Sequence, residues 1–207
     1  MEEMDSWTVL AMKVQSLAQN GLAYANNPFD RERYTELRRI AAEMLSCCSG
    51  VPSEQIEPFF CSETGYQTPK VDTRAAILQD GKILLVRERN DTWSLPGGWC
   101  DVDQSIASNT VKEVKEETGL DVYAQRLIAV QDWREHNVCN LPYGILKAFV
   151  LCRVLGGAFQ QNPETTEFRF FERDKLPQRL ADEKSTAEQI HMCFEAAESP
   201  CWETCFD

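Results

Sequence analysis

Three glutamates lie three and four residues apart in the stretch VKEVKEETG, residues 111–119. On a helix, residues at this spacing share one face, so the carboxylates of Glu113, Glu116 and Glu117 would point in one direction. Carboxylate oxygens gathered in this way select hard cations such as Mg2+ or Mn2+. The alternative is an ordinary charged surface helix, in which Lys112 partly offsets the acids.

A glycine loop precedes this acidic run. Gly97 and Gly98 follow Pro96, and a glycine pair allows a metal ion or a phosphate to approach the backbone closely. Residues 105–118 have the pattern of a helix, and Gly119 suits its C-terminal stop. A glycine loop that leads into an acidic helix favours a metal and phosphate site over a solvated surface.

The segment GWCDVDQSIASNTVKEVKEETGL, residues 98–120, resembles the Nudix box, the signature of Nudix hydrolases. In that signature a glycine precedes five residues, a glutamate, seven residues and then Arg-Glu-apolar-x-Glu-Glu-x-Gly-apolar. The matching positions are Gly98, Glu113, Val114, Glu116, Glu117, Gly119 and Leu120. Two positions depart from it: Gln104 replaces the first glutamate, and Lys112 replaces the arginine. Lysine keeps the charge but lacks the bidentate fork of arginine.

The resemblance extends over nearly the whole chain, to the Nudix subgroup that carries an N-terminal helical domain. It implies the α/β class, as a Nudix α/β/α sandwich with a mixed sheet, preceded by a small helical domain. It also implies hydrolysis of the pyrophosphate bond of a nucleoside diphosphate linked to another moiety, with ADP-ribose and CDP-choline as typical substrates. The products would be a nucleoside monophosphate and the phosphorylated moiety. The subgroup commonly forms homodimers.

The resemblance also assigns roles to the acidic residues. Glu113, Glu116 and Glu117 would hold Mg2+ or Mn2+, the carbonyl of Gly98 would complete the ligand set, and Lys112 would steady one carboxylate. The family often supplies a further acid after the last long strand, where Glu164 and Glu167 lie. Either could act as a general base, and the alternative is an exposed loop acid.

Substrate contacts are expected from cations and aromatic rings near the predicted strands. Arg74, Arg87 and Lys147 could pair with phosphates, and the alternative for each is a structural salt bridge. Trp93 could stack on a base or close the site, although aromatic side chains are more often part of the core.

Two domains must position these residues. Helical spacing of apolar residues over 5–23, a second helix capped near Asp30 and a short helix from Ser53 to Phe60 predict a helical domain, residues 1–65. Its core is thin, so it needs another surface to pack against. Residues 66–207 form the second domain.

The second domain begins with two apolar runs that Asp80-Gly81 joins, which predicts a hairpin. The segment 93–99 has the composition of a loop. Long strands are expected within residues 120–133 and 143–155, a short strand near residues 168–177, and a final helix over 182–198.

Composition narrows the function classes. The 207 residues carry a net charge of −12, so tight binding of nucleic acid is not expected, and no apolar run is long enough to span a membrane. The acidic N-terminus lacks the basic flank of a signal peptide, which predicts a cytoplasmic protein with its nine cysteines reduced. A zinc site at His191, Cys193, Cys201 and Cys205 is a further possibility.

Two other functions stay open at this point. Gln104 and Lys112 could mark a nucleotide-binding regulatory module that retains the fold without turnover. The same metal chemistry could also serve an enzyme that hydrolyses RNA ends, although the net charge of −12 argues against tight binding of RNA.

Overall fold

The computed structural model describes residues 6–138, 141, 143–159 and 165–207. The chain divides into two compact units. The first comprises Met1–Pro69 and Asn140–Gly144, and the second comprises Lys70–Cys139 and Ile145–Asp207.

In its described residues, the first unit contains three helices, which are α1 (Ser6–Tyr24), α2 (Pro28–Ser49) and α3 (Ser53–Phe60). The prediction that α2 is capped at Asp30 is wrong, because Asn27 is the cap and its side chain accepts from the backbone N–H of Asp30 at 2.8 Å. Pro28 occupies the first helical position, where a missing N–H costs nothing. The core of this unit is thin, as predicted, and it centres on Ala41, Ala42, Ile56 and Phe60.

The second unit is built on a mixed sheet that, within the described residues, has seven strands. They are β1 (Lys70–Gln79), β2 (Lys82–Glu88), β3 (Trp93–Ser94), β4 (Leu120–Asp132), β5 (Ile145–Gly157), β6 (Thr165–Glu172) and β7 (Cys205–Phe206). The order is β3-β2-β1-β5-β4-β7, and β6 pairs with β2. The central pair β1 and β5 is parallel, and the hairpin between β1 and β2 is antiparallel.

Helices cover both faces of this sheet. Helix α4 (Ile106–Thr118) packs through Val114 on one face, and α6 (Ala187–Glu198) packs through Ile190 and Phe194 on the other. A one-turn helix, α5 (Trp133–His136), follows β4. The predicted α/β sandwich with a mixed sheet and preceding helices is therefore confirmed.

Local sequence signals predicted most helices and strands correctly, but some of their predicted ends differ from those in the structure. The hairpin at Asp80-Gly81 is confirmed, and both residues have the positive φ angles, 51° and 73°, that a tight hairpin turn requires. The first two residues of the predicted loop 93–99 instead form β3, which pairs with β2. The last helix is shorter than predicted, because Thr186 caps it and residues 182–186 are tied to the sheet.

In the part of the chain that the structure describes, no helix is both long and apolar enough to cross a membrane. The eight cysteines in those same residues carry free thiols, and Cys152 and Cys193 are buried in the core.

Candidate active site

Helix α4 is fixed at both ends and along one side. The side chain of Ser105 caps its first turn in a reciprocal pair with Ser108, and Gly119 ends it in the left-handed conformation at φ 73°. Val114 is fully buried against the sheet. Because Val114 sets the rotation of the helix, Glu113 and Glu117 lie at the edge of the buried face while Glu116 points outward.

Glu117 is a buried carboxylate at the glycine loop. Its residue is 7% exposed, and Oε2 accepts a hydrogen bond from the backbone N–H of Gly97 at 2.9 Å. Burial raises the pKa of this carboxyl to about 7, although the nearby charge of Arg74 and the Gly97 hydrogen bond oppose the shift. A further positive charge at this place would therefore favour the ionised form of Glu117.

Glu113 lies against Gly98. A Cβ atom built at Gly98 would stand 2.6 Å from Oε2 of Glu113, so any larger residue would displace that carboxylate from its present position. Burial raises the pKa of Glu113, while Lys112 opposes the shift. The glycine loop is itself held by strand β1, since the N–H groups of Thr73 and Ala75 donate to the carbonyls of Gly98 and Pro96 at 2.9 and 2.8 Å.

Lys112 links three carboxylates on the outer side of the helix. Its Nζ lies 2.9 Å from Asp101, 3.1 Å from Glu113 and 3.4 Å from Glu116. The predicted steadying contact is present at Glu113, and it extends to Glu116, whose side chain is 59% exposed. Hydrogen bonds to Asp101 and Glu113 raise the pKa of Lys112, and the charges of Glu113 and Glu116 add to this rise.

The glycine loop offers two carboxylates that suit a hard divalent cation. Glu113 and Glu117 meet at the glycine loop, and the space that a Cβ of Gly98 would fill lies between backbone and carboxylate. Throughout the described ranges, no group of three His, Cys, Asp or Glu side chains is arranged to hold a metal ion. Glu116 lies beside Lys112 on the outer side of the helix, and the possible zinc set of His191, Cys193, Cys201 and Cys205 is not formed. An all-oxygen donor set is the type that Mg2+ and Mn2+ prefer.

Arg74 and Lys147 lie in a buried ion cluster instead of an open substrate site. Arg74 donates to both carboxylate oxygens of Asp72 at 2.9 and 2.6 Å, and Lys147 Nζ donates to Asp72 at 2.9 Å. All three residues are at most 4% exposed. The alternative of a structural salt bridge therefore describes both cations. Arg74 also lies within electrostatic range of Glu117.

Asp72 is the residue that sequence reasoning missed in this cluster. The signal was present, because Asp72 and Arg74 are two residues apart on a strand and so share a face. The parallel register of β1 and β5 places Lys147 directly opposite Asp72.

Arg87 and Glu167 lie together at the edge of the sheet. Arg87 pairs with Asp91 and lies 3.5 Å from Glu167, and Arg169 pairs with the other oxygen of Glu167 at 2.7 Å. Two guanidinium groups thus hold the candidate base Glu167. The other candidate, Glu164, lies outside the described residues.

Trp93 is part of the core and not of an open site. The residue is 8% exposed, its ring packs edge-on against Phe171 at 4.9 Å, and the guanidinium of Arg169 covers it. The core alternative therefore describes Trp93, and we do not include it among the substrate contacts.

The variant Gly98→Ala tests the glycine cradle. We expect at least about tenfold loss of metal-dependent activity, because the new methyl group displaces the Glu113 carboxylate, and disturbed ligand orientation typically costs 10–100-fold. The melting temperature should stay near that of the parent, since the flexible carboxylate can move aside. Gly156→Ala is the matched control, because its Cβ would meet nothing within 4 Å. Parental activity in Gly98→Ala would show that Glu113 is not needed at this position.

Two family models match the chain. Residues 5–60 match the model described as a UDP-X-like, N-terminal oligomerisation domain, and residues 69–192 match the NUDIX domain. The second match covers more than half of the chain and contains the glycine loop and helix α4.

Relatives and solved structures agree with these matches. The putative ADP-ribose pyrophosphatase YjhB of Bacillus subtilis (strain 168) is 41% identical over 202 residues, which is 97% of each chain. The crystal structure of an ADP-ribose pyrophosphatase from Streptococcus suis 89-1591 is 58% identical, with a TM-score of 0.63, and covers 68% of this chain and 100% of its own. The structure of a UDP-X diphosphatase is 34% identical, with a TM-score of 0.63, over 96% of this chain and 97% of its own.

Proposed function

This chain belongs to the NUDIX family, and on that premise we propose that it is a metal-dependent pyrophosphohydrolase acting on a nucleoside diphosphate linked to a second moiety. The observation that carries the proposal is the pair of carboxylates at the glycine loop, Glu113 against Gly98 and Glu117 on the Gly97 N–H. This arrangement joins metal ligands to a backbone that a phosphate can approach.

The metal ion is proposed to be Mg2+ or Mn2+. Such an ion, when bound, neutralises charge on the diphosphate and lowers the pKa of a bound water molecule. Glu113 and Glu117 would hold it. The Gly98 carbonyl accepts from the N–H of Thr73 at 2.9 Å and from its hydroxyl at 3.5 Å, so it would join the ligand set by exchanging the longer of these two bonds. Glu116 is proposed to act at the outer edge of the site, where Lys112 holds its carboxylate.

The residues around the site keep these ligands in place. The Gly97 N–H orients Glu117, and the Lys112 ammonium fixes one oxygen of Glu113 and leaves the other turned to Gly98. The ion cluster of Asp72, Arg74 and Lys147 is connected to the start of the loop, because Arg74 donates to the carbonyl of Leu95 at 3.2 Å. Glu167 would serve as the general base only after release from Arg87 and Arg169.

ADP-ribose is the substrate that we propose first. Two similar proteins, the Bacillus relative and the Streptococcus structure, carry the name ADP-ribose pyrophosphatase. UDP-linked compounds come second, because a similar structure is described as a UDP-X diphosphatase, and CDP-choline comes third, on the family resemblance alone. With ADP-ribose the products would be AMP and ribose 5-phosphate.

A substrate panel tests this function. The purified protein, with Mg2+ and then with a chelator, is incubated with ADP-ribose, CDP-choline and a UDP-sugar, and the released monophosphate is quantified. We expect metal-dependent release from ADP-ribose at the highest kcat/KM. If none of the three is hydrolysed but one binds, the chain is a nucleotide-binding module, and Gln104→Glu should then create activity. A short 5′-triphosphate RNA in the same panel tests the remaining alternative.

We also propose that the chain forms a homodimer through its N-terminal helices. Leu10, Leu17 and Tyr24 recur every seven residues on α1, and Trp7 lies on the same face. Their exposed fractions are 44%, 70%, 70% and 60%, which leaves an apolar stripe open to solvent in one chain. The match of residues 5–60 to an oligomerisation domain supports this proposal.

The variant Leu17→Glu tests the dimer. A charge in the middle of the stripe should convert a mass of two chains into a mass of one, as measured by light scattering at micromolar concentration. Ala23→Glu is the control, because Ala23 is exposed on another side of α1. A parent protein that has the mass of a single chain would contradict the proposal directly.

A further inference from the structure

Lys184 lies on a short segment that is hydrogen-bonded to strand β3 and to the residue that follows it. The N–H of Ala181 donates to the carbonyl of Trp93 at 2.9 Å, and the hydroxyl of Ser185 accepts from the N–H of Leu95 at 3.3 Å. Ser185 is fully buried. The segment is therefore attached to the residues that lead directly into Pro96-Gly97-Gly98.

The backbone of Lys184 is anchored on the other side by the buried ion cluster. Lys147 Nζ donates to the carbonyl of Lys184 at 3.0 Å while it also donates to Asp72. Asp72 is in turn the bridge partner of Trp99, the residue after Gly98. The main chain of Lys184 is thus connected through Lys147 on β5 and Asp72 on β1 to the residue that follows the glycine loop.

The ammonium group of Lys184 pairs with Glu88 at the end of β2. Nζ lies 2.5 Å from Oε1 of Glu88, and the same oxygen accepts from the hydroxyl of Ser94 at 3.0 Å. The side chains of Lys184 and Glu88 are 34% and 21% exposed, so the pair is reachable from solvent. Burial raises the pKa of Glu117, and the positive charge of Lys184 is among the smaller effects that oppose this rise.

We propose that Lys184 is a substrate-binding residue, which leaves Glu88 and pairs with a phosphate oxygen of the bound diphosphate. The inference rests on the proposed function for the location of the diphosphate at the glycine loop. A lysine ammonium on a flexible stem suits this exchange, because three rotatable donors can turn from a carboxylate to a phosphate while the backbone stays anchored. Arg74 and Lys147 cannot perform it, since both are buried on Asp72.

The role of Glu88 follows from the same geometry. In the free protein it neutralises Lys184 at the edge of the site, and it therefore competes with the incoming phosphate. Removal of the Glu88 charge should leave Lys184 more available. A purely structural pair would show the opposite result, because loss of either partner would only loosen the segment.

Equilibrium binding of ADP tests the inference without any turnover. Affinities for ADP and for adenosine are measured by calorimetry with Mg2+ for the parent, Lys184→Met, Lys184→Arg and Glu88→Gln. We expect Lys184→Met to weaken ADP binding by at least about tenfold, the effect of losing one charge-assisted hydrogen bond. Adenosine binding should not change. Lys184→Arg should stay within about threefold of the parent, and Glu88→Gln should bind ADP more tightly.

The control is Lys175→Met, which removes an exposed lysine that pairs with Glu172 at 2.6 Å on the strand edge. It should bind ADP like the parent. ADP affinity within twofold of the parent in Lys184→Met, or weaker binding in Glu88→Gln, would overturn the inference, and so would a parent that does not bind ADP. A parent that binds ADP through Lys184 but hydrolyses no substrate would refute the proposed activity alone.

Discussion

Glu117→Gln is expected to reduce metal-dependent hydrolysis by at least about 100-fold and to stabilise the metal-free fold above pH 7. Activity is lost because an amide oxygen carries no charge with which to hold the cation. Substitution of a residue that merely hydrogen-bonds to a metal ligand already costs typically 10–100-fold in metal affinity or activity. Gln keeps an oxygen that can accept from the Gly97 N–H, so the loop should retain its conformation. Activity loss and stability gain in the same variant distinguish a functional carboxylate from a structural one.

The sign of the stability change follows from the pKa of Glu117. Burial raises this pKa from its ordinary value of about 4.5 to about 7 in the folded state. The folded state then binds the proton more tightly than the unfolded state, so the free energy of unfolding falls as pH rises from about 4.5 to about 7. The full penalty is roughly 3 kcal/mol above that range, at 1.36 kcal/mol for each unit of pKa. Glu117→Gln has no such proton, and its stability should lack this decline.

Urea unfolding in the presence of a chelator at pH 5.5 and pH 8 measures the effect. The parent should lose stability between these two pH values relative to Glu117→Gln. Added Mg2+ should stabilise the parent more at pH 8 than at pH 5.5, because the ligand must lose its proton before the ion binds. Asp121→Asn is the charge-matched control, since Asp121 is an exposed partner of Lys115. An equal pH profile in parent and variant would show that Glu117 ionises normally.

Elements that depend on local chemistry could be predicted from sequence. Asp80-Gly81 requires positive φ angles at both positions, and Gly119 ends α4 in the left-handed conformation, so both boundaries are encoded by the residues that occupy them. Helix α3 begins and ends at the predicted residues, Ser53 and Phe60. These features need no knowledge of distant contacts.

Which of the three glutamates is buried and which is exposed could not be predicted from local sequence signals. Spacing of three and four residues places Glu113, Glu116 and Glu117 on one face, but the burial of Val114 decides which of them turns toward the sheet. Glu116 and Glu117 are neighbours in sequence, and their directions differ by about 100° around the helix axis. One is therefore largely exposed while the other is buried.

The substrate contacts depended on strand pairing, which the sequence does not display. Lys147 and Asp72 meet only because β1 and β5 pair in parallel with these two residues in register. Because this pairing buries Arg74 and Lys147 against Asp72, neither is available to bind a phosphate, and Lys184 is the cation that we propose for that role. The sequence pattern placed Lys184 inside the predicted last helix, residues 182–198, where a lysine is ordinarily solvated, and it assigned this residue no role.

Asp72→Asn is expected to be the most destabilising of the charge substitutions proposed for this chain. It leaves Arg74 and Lys147 buried without their counter-charge, and removing one partner from a buried ion pair typically costs about 3–5 kcal/mol. For a chain of this size that corresponds to a fall in melting temperature on the order of 10 °C. Asp121→Asn, in an exposed pair, should change it by only a degree or two.

The pH dependence of the melting temperature distinguishes an effect of the Asp72 charge from an effect of its packing. Burial opposes ionisation of this carboxyl, but Arg74 and Lys147 outweigh burial and hold its pKa below the ordinary value. Its contribution to stability is therefore present at neutral pH and is lost as pH falls below the ordinary range of an aspartate. The melting temperatures of parent and Asp72→Asn should converge in acid and differ most near pH 7. A constant difference at every pH would mean that the substitution acts through packing alone. If the buried, unpaired cation causes the loss of stability, the double variant Asp72→Asn/Lys147→Met should recover part of that loss.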